Sequence, residues 1–320
     1  MVNIIMPIYK ARDTLDRALL SLQNQTDKYF FVTMVVDGED DDYQDIIKKY
    51  PMNIKVINKE KNEGPGLARQ LGLDRSYQFE YVMFLDADDM LQPLAVELLT
   101  HHAKTTGSDV VYSNLTVERF QGTPDEWDAQ NTTTWCHGKI YRTQFLIDNH
   151  IYFDPTLRYN EDLFFNYSIM LFTEKISCLH EPCYIWKLNP NSLTRTNNNV
   201  DFWRFKNDSY FYAIDRLFER ANELNKWDKL PLGAFIGGLY RSAQTMMAVG
   251  ADMSKAEELT KKFLDYDALA KLITNPKYAM ENLLGMPQAN RISGTLFVYF
   301  EETFSQWIKR LTGFDMKMKF

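Results

Sequence analysis

An uninterrupted apolar run, Tyr81-Val82-Met83-Phe84-Leu85, passes directly into Asp86-Ala87-Asp88-Asp89. A run that is apolar at every position, rather than alternating, reads as a strand covered on both faces, as in a parallel sheet flanked by helices. The carboxylates at its end repel one another unless something positive lies among them. Hard oxygen ligands suit Mg²⁺ or Mn²⁺, and such an ion commonly handles a phosphate-bearing substrate. Taken alone, such a motif is more often a solvated acidic loop or a helix cap than a metal site.

The surrounding pattern narrows that choice. Val2 to Met6 forms a short apolar strand stopped by Pro7, and Asp13 or Thr14 caps a helix with Leu15, Ala18, Leu19 and Leu22 on one face. Phe31 to Val36 is a second strand and also ends in acids, Asp37-Gly38-Glu39-Asp40-Asp41-Asp42; Ile54 to Ile57 is a third. Gly64-Pro65-Gly66 opens a helix to about Arg75, with Pro65 in its first turn, and Pro93 begins another. Strands alternating with helices predict an α/β fold with a mostly parallel sheet, whose ligands bind outside the carboxyl ends of the strands. The Asp37 cluster, the Asn62–Gly72 segment and Asp86–Asp89 all fall on that edge. From Val110 to about Ile185 the pattern is mixed, and beyond Asp201 it is mainly helical: Phe202, Phe205, Ala213 and Leu217 recur at helical spacing, as do Phe297, Phe300, Phe304, Trp307, Ile308 and Leu311. The expected division is 1–200 for the sheet domain and 201–320 for a helical region.

Composition bears on partners and location. A formal net charge of -7 disfavours nucleic acid in bulk electrostatic terms. Cys136, Cys178 and Cys183 show no metal or redox spacing and read as small buried hydrophobes in a reducing compartment. Neither a signal peptide nor an apolar run near the ~20 residues of a membrane span is seen. The expectation is a cytoplasmic protein, with a contact at the inner face of the membrane as a further reading.

Six segments in order resemble the family 2 glycosyltransferases: Met6-Pro7-Ile8-Tyr9, Val35-Val36-Asp37-Gly38, Asn62 to Gly72, Asp86-Ala87-Asp88-Asp89, His137-Gly138-Lys139-Ile140-Tyr141-Arg142 and Asn160-Glu161-Asp162. The resemblance covers roughly residues 2–195 and departs from the family pattern at Asp37-Gly38-Glu39 and at Gln70. It implies a GT-A fold and an inverting transfer from a nucleotide-diphosphate sugar, most simply a UDP-sugar, assisted by Mn²⁺ or Mg²⁺. Asp88 then bridges the metal to the diphosphate, and Asp86 supports the metal or hydrogen-bonds the ribose. Asp37 binds the nucleoside. Pro7, Tyr9, Gly64 and Ala87 line the donor site, and Arg69 binds the diphosphate or shapes its loop. Asp162 is the general base, because an inverting transfer needs one group to take the acceptor proton. Glu161 serves structure or acceptor positioning, and Trp135, His137, Lys139 and Trp186 face the acceptor or donor sugar. Ser192 and Arg195 lie in a segment that resembles a loop over the donor.

Each residue also has a plainer reading: a solvated acid for Asp37, a helix cap for Glu161-Asp162, a core ring for Trp135, a surface loop for Trp186 to Arg195. His101-His102 reads as a helix face. The acceptor implied is a surface glycan or lipid-linked saccharide. A hydroxylated base of phage DNA, met by Lys187, Arg195, Lys309, Arg310, Lys317 and Lys319, is a second acceptor, and a non-catalytic glycan- or sugar-nucleotide-binding relic is a third reading. The C-terminal helices admit an acceptor platform, an oligomer interface or a membrane-surface contact.

Overall fold

The computed structural model describes residues 1–118, 125–127, 133–188, 200–226, 229–230, 254 and 258–259. Ser192, Arg195 and the aromatic stripe from Phe297 to Leu311 lie outside them. The chain divides into two units, Met1–Thr196 and Asn197–Phe320.

The first unit is built on a nine-stranded sheet. Strands β1 (Val2–Ile8), β2 (Phe30–Asp37), β3 (Ile54–Lys59) and β4 (Tyr81–Phe84) are parallel in the order β3-β2-β1-β4. The sheet continues through β8 (Lys139–Arg142), antiparallel to β4, then β6 (Val110–Glu118), β9 (Ile176–Lys187) and the short β5 (Met90–Leu91), with β7 (Asp125–Trp127) beside β6.

Alternate residues of the strands feed two separate cores. Val2, Ile4, Met6 and Ile8 of β1, with Val32, Met34 and Val36 of β2, pack with α1 (Leu15–Gln23) and α4 (Ala95–Thr106). Ile5, Val82, Phe84 and Tyr141 face the other way, towards Leu73 of α3 (Pro65–Leu73), Leu146 of α5 (Thr143–Asp148) and Phe165 and Ile169 of α6 (Glu161–Met170). Two covered faces are why the strands read as unbroken apolar runs. The short α2 (Gln44–Ile47) lies between β2 and β3.

Three local expectations are corrected. Pro7 does not stop β1; it pairs with Val35 inside the strand. Leu85 donates to the Ile5 carbonyl, so odd residues of β1 turn their polar groups towards β4, and the β1–β4 pairing ends at Ile5 and Phe84. The N–H that proline lacks therefore faces no ladder partner. Thr14 does occupy the N-cap of α1, but its hydroxyl donates to the Ala11 carbonyl at 3.2 Å instead of capping. In the second unit, α7 (Val200–Glu223) buries Phe202, Phe211, Ala213, Ile214, Leu217 and Phe218, whereas Phe205 is 48% exposed. At about 100° per residue the buried positions span one half-turn, and Phe205 falls outside that arc.

Among the described residues no helix is long and apolar enough to cross a membrane.

Candidate active site

The carboxyl ends of β1, β2 and β4 form one edge, and the site is assembled there. Asp37 closes β2. Its Oδ2 accepts the Gly64 N–H at 2.8 Å, and its Oδ1 accepts the Glu63 N–H at 3.1 Å and the Lys59 ammonium at 2.6 Å. The side chain thus holds the loop that opens α3. Gly38, at φ +69°, is required: a Cβ there would lie 2.0 Å from the Asn62 nitrogen. The neighbouring acids are ties as well as surface charge. Glu39 accepts the Lys10 N–H through both oxygens at 3.0 Å and the Tyr43 hydroxyl at 2.6 Å, while Arg12 engages Asp41 at 2.6 Å and Asp45 at 2.9 Å. Pro7 and Tyr9 stand beside this loop, with the Tyr9 ring 42% exposed and the Lys10 ammonium 5.2 Å from its centroid.

Gly64 occupies the N-cap of α3, with Pro65 in the first turn as expected. It lies close on the sheet at Gly72, where a Cβ would meet Ile5 Cγ2 at 2.4 Å. That approach carries Arg69 inward. Arg69 Nη2 meets Asp86 Oδ1 at 2.6 Å, and Nη1 meets Glu161 Oε1 at 2.9 Å. One buried arginine therefore joins the acids after β4 to those that start α6.

The Asp86–Asp89 turn is gripped from several sides. Arg17 of α1 donates to the Asp88 carbonyl at 2.8 Å. Asp89 is buried, accepting the Tyr184 hydroxyl at 2.7 Å and the Lys187 N–H at 2.9 Å. Ala87 is buried and the Asp88 side chain half-buried. His137 Nε2 lies 3.1 Å from Asp86 Oδ2 and 3.9 Å from Asp89 Oδ2.

These contacts set the local electrostatics. Burial would raise Asp86, but Arg69 and His137 hold it well below the usual carboxylate range. Burial pushes Asp89 up to about 7, against the pull of His137 and Tyr184. Burial and then Asp162 push Glu161 up to about 7 despite Arg69. Burial opposes charge on His137, yet Asp86 outweighs it and the imidazole titrates above its ordinary value.

Asp162 retains partial solvent access, and its Oδ1 accepts the Leu163 N–H at 2.8 Å. Desolvation raises its pKa, opposed by the charges of Arg69 and His137. It therefore shares a field with both cations that flank Asp86. Asn166, one turn on, donates to the Asp162 carbonyl at 2.8 Å and to the Thr134 carbonyl at 3.1 Å, binding α6 to the segment that bears Trp135 and His137.

Trp135, His137 and Trp186 come together as an aromatic wall. His137 stacks on Tyr184 with centroids 4.9 Å apart, and Trp135 meets Trp186 at 5.1 Å. The sequence reading passed over Tyr184, although Tyr184-x-Trp186 in a strand puts both rings on one face. Lys139 takes a different place from that expected. Its side chain is fully buried, its ammonium donates to the Thr133 and Trp135 carbonyls and lies 4.5 Å from the Tyr112 centroid, and burial lowers its pKa to about 7. These contacts brace the segment that bears Trp135.

The donor set suits a divalent cation. Ligand atoms of Asp86, Asp89 and His137 lie within 4.8 Å of one another. Two carboxylates and an imidazole are ligands that manganese accepts.

Comparison with known proteins gives this geometry a class. The fold matches the crystal structure of Staphylococcus aureus TarS 1-349 in complex with UDP-GlcNAc with a TM-score of 0.57, at 23% identity, over 76% of this chain and 80% of that one. The architecture is GT-A-like, the doubly covered sheet with an acid-lined edge expected above. Residues 3–158 match Glycosyl transferase family 2, and this segment belongs to that family. Among its relatives, the uncharacterized glycosyltransferase EpsJ of Bacillus subtilis (strain 168) is 27% identical over 220 residues, 61% of this chain and 63% of EpsJ. The poly(ribitol-phosphate) β-N-acetylglucosaminyltransferase TarS of Staphylococcus aureus (strain Mu50 / ATCC 700699) is 30% identical over 205 residues, 58% of this chain and 35% of TarS. The chain thus spans less than two thirds of the length of either relative.

Proposed function

We propose that this protein is an inverting, metal-assisted glycosyltransferase that moves a sugar from a UDP-sugar to a hydroxyl of a surface glycan or lipid-linked saccharide. The observation that carries the reading is the meeting of two sequence-distant acid turns, Asp86–Asp89 and Glu161–Asp162, through Arg69, with Asp162 in the field of the two cations that flank Asp86. A relative crystallised with UDP-GlcNAc, and relatives named for β-N-acetylglucosaminyl transfer to poly(ribitol phosphate), make UDP-GlcNAc the first donor to test and a polyol or glycan hydroxyl the first acceptor.

In this reading Pro7, Tyr9, Asp37, Gly64 and Ala87 shape the nucleoside side of the site, and Arg195, which lies outside the described residues, is a further donor-binding residue implied by the family resemblance. A bound Mn²⁺ or Mg²⁺, held by Asp88 with Asp86 and with Asp89 and His137 adjacent, would supply positive charge for the departing diphosphate. The chain's own groups do the rest. Asp162 takes the proton from the acceptor hydroxyl as its oxygen attacks the anomeric carbon, the sugar–phosphate bond breaks on the opposite face, and UDP leaves. A raised pKa suits a base that works near neutral pH. Trp135 and Trp186 offer flat faces to sugar C–H surfaces. Glu161 is tied to Arg69 and orients the turn that carries Asp162.

The test is thermal shift and donor hydrolysis with a panel of UDP-sugars, each with Mn²⁺, Mg²⁺ or EDTA, on wild type and Asp88→Asn. Metal-dependent stabilisation by one donor, absent in the variant, is the expected result. No response to any nucleotide sugar would overturn the assignment.

A further inference from the structure

We infer that Arg69 is a positioning residue: it locks the acid turn after β4 to the turn that starts α6, and so sets the place of Asp162 relative to the donor. This rests on the transferase reading above, and it gives Arg69 a role distinct from binding the diphosphate.

Three observations support it. The first is occupancy. The two terminal nitrogens point to different carboxylates, Asp86 at 2.6 Å and Glu161 at 2.9 Å, and the remaining nitrogen, Nε, is buried without a partner. With 5% of the residue exposed, no open face of the guanidinium is left for an incoming phosphate.

The second is the way α3 is shaped to deliver it. Gly66 and Arg69 are three residues apart and so share a helix face. A Cβ at Gly66 would meet Glu161 Cγ at 2.8 Å, so the helix backbone already lies against the glutamate that Arg69 holds. The Phe153 ring, centred 6.0 Å from the Arg69 guanidinium carbon, lies within cation–π reach.

The third is chemistry. Asp86 and Glu161 are 75 residues apart in sequence and each needs a cation in a dry site. A planar guanidinium serves both at once with separate N–H groups, whereas an ammonium is a single point charge. In Glu161→Gln the amide oxygen still accepts from Arg69, so the change weakens the bridge without removing it.

The test uses the full-length chain as wild type, Arg69→Lys, Glu161→Gln and the double variant. UDP binding with Mn²⁺ is measured by calorimetry and turnover as UDP-GlcNAc hydrolysis. A positioning role predicts that Arg69→Lys keeps UDP affinity within about threefold while kcat falls about 100-fold, as for a misplaced reacting group. The double variant should then be no slower than Arg69→Lys alone. A tenfold or greater loss of UDP affinity with kcat retained would make Arg69 a diphosphate ligand and overturn the inference. If wild type neither binds UDP nor turns over any nucleotide sugar, the transferase reading fails, and the bridge is decided by denaturant unfolding of the same four proteins. Tenfold or greater coupling in the folding equilibrium constant upholds it, and additive effects sink it.

Discussion

The Tyr184 hydroxyl donates to Asp89 Oδ2 at 2.7 Å, tying β9 to the acid turn after β4 across 95 residues of sequence. Asp89 is buried and pushed up to about 7, and the tyrosine favours its ionised form. For an acid whose folded pKa is raised, stability is lost as pH climbs from the unfolded carboxylate range through the folded value. Tyr184→Phe raises the folded value further and deepens that loss. The expected destabilisation is about 1–3 kcal/mol at pH 8 and less at pH 5, read from denaturant melts at the two pH values. An equal cost at both would show that Asp89 is not the group through which the tyrosine acts.

Asp162→Asn separates chemistry from architecture. The amide oxygen can still accept the Leu163 N–H, so the melting temperature and UDP affinity should stay near wild type. Turnover should fall by about 10²–10⁴, the usual contribution of a general base. In wild type, kcat/KM should fall as pH drops through a pKa above the ordinary carboxylate range, because the base must be ionised to work. A variant with near-normal turnover would remove Asp162 from the mechanism.

Gly38→Ala tests whether the loop after β2 is a built part of the site. An alanine meets the Lys61–Asn62 backbone and takes up a left-handed conformation, and it should cost about 3 kcal/mol. Because Asp37 holds Glu63 and Gly64, the variant should also weaken UDP binding. Unchanged affinity in the folded variant would separate that loop from the donor site.

Trp186→Ala addresses the sugar. Trp186 packs on Trp135 at 5.1 Å and on His137 at 6.2 Å, whereas in our reading the Asp37 loop holds the nucleoside end. UDP affinity should be retained while the preference for UDP-GlcNAc over UDP shrinks about fivefold, or ~1 kcal/mol. Equal losses for both ligands would place the wall on the nucleotide instead.

The parallel strands, the helix opened by Pro65 and the two acid-ended strands were legible because they follow from local rules: apolar runs where both faces are covered, proline in a first turn, carboxylates where a strand meets solvent. Pro7 was misread because whether a missing N–H matters depends on the neighbouring strand, which ends its pairing two residues earlier, at Ile5. Phe205 was misread because helical spacing gives a face and not its centre.

The sequence alone determined the succession of the four parallel strands with α1, α3 and α4, the edge on which the acids gather and the family that the segments resemble, since each is written in short-range pattern. Tertiary structure decided what those acids touch. Arg69 has no partner one turn away and finds two far along the chain, Asp89 is buried by a tyrosine of a later strand, and Lys139 points inward beneath the aromatic wall. Such pairings arise only when the sheet closes, because burying a charge is tolerable only where a distant segment supplies its counter-charge or hydrogen bond.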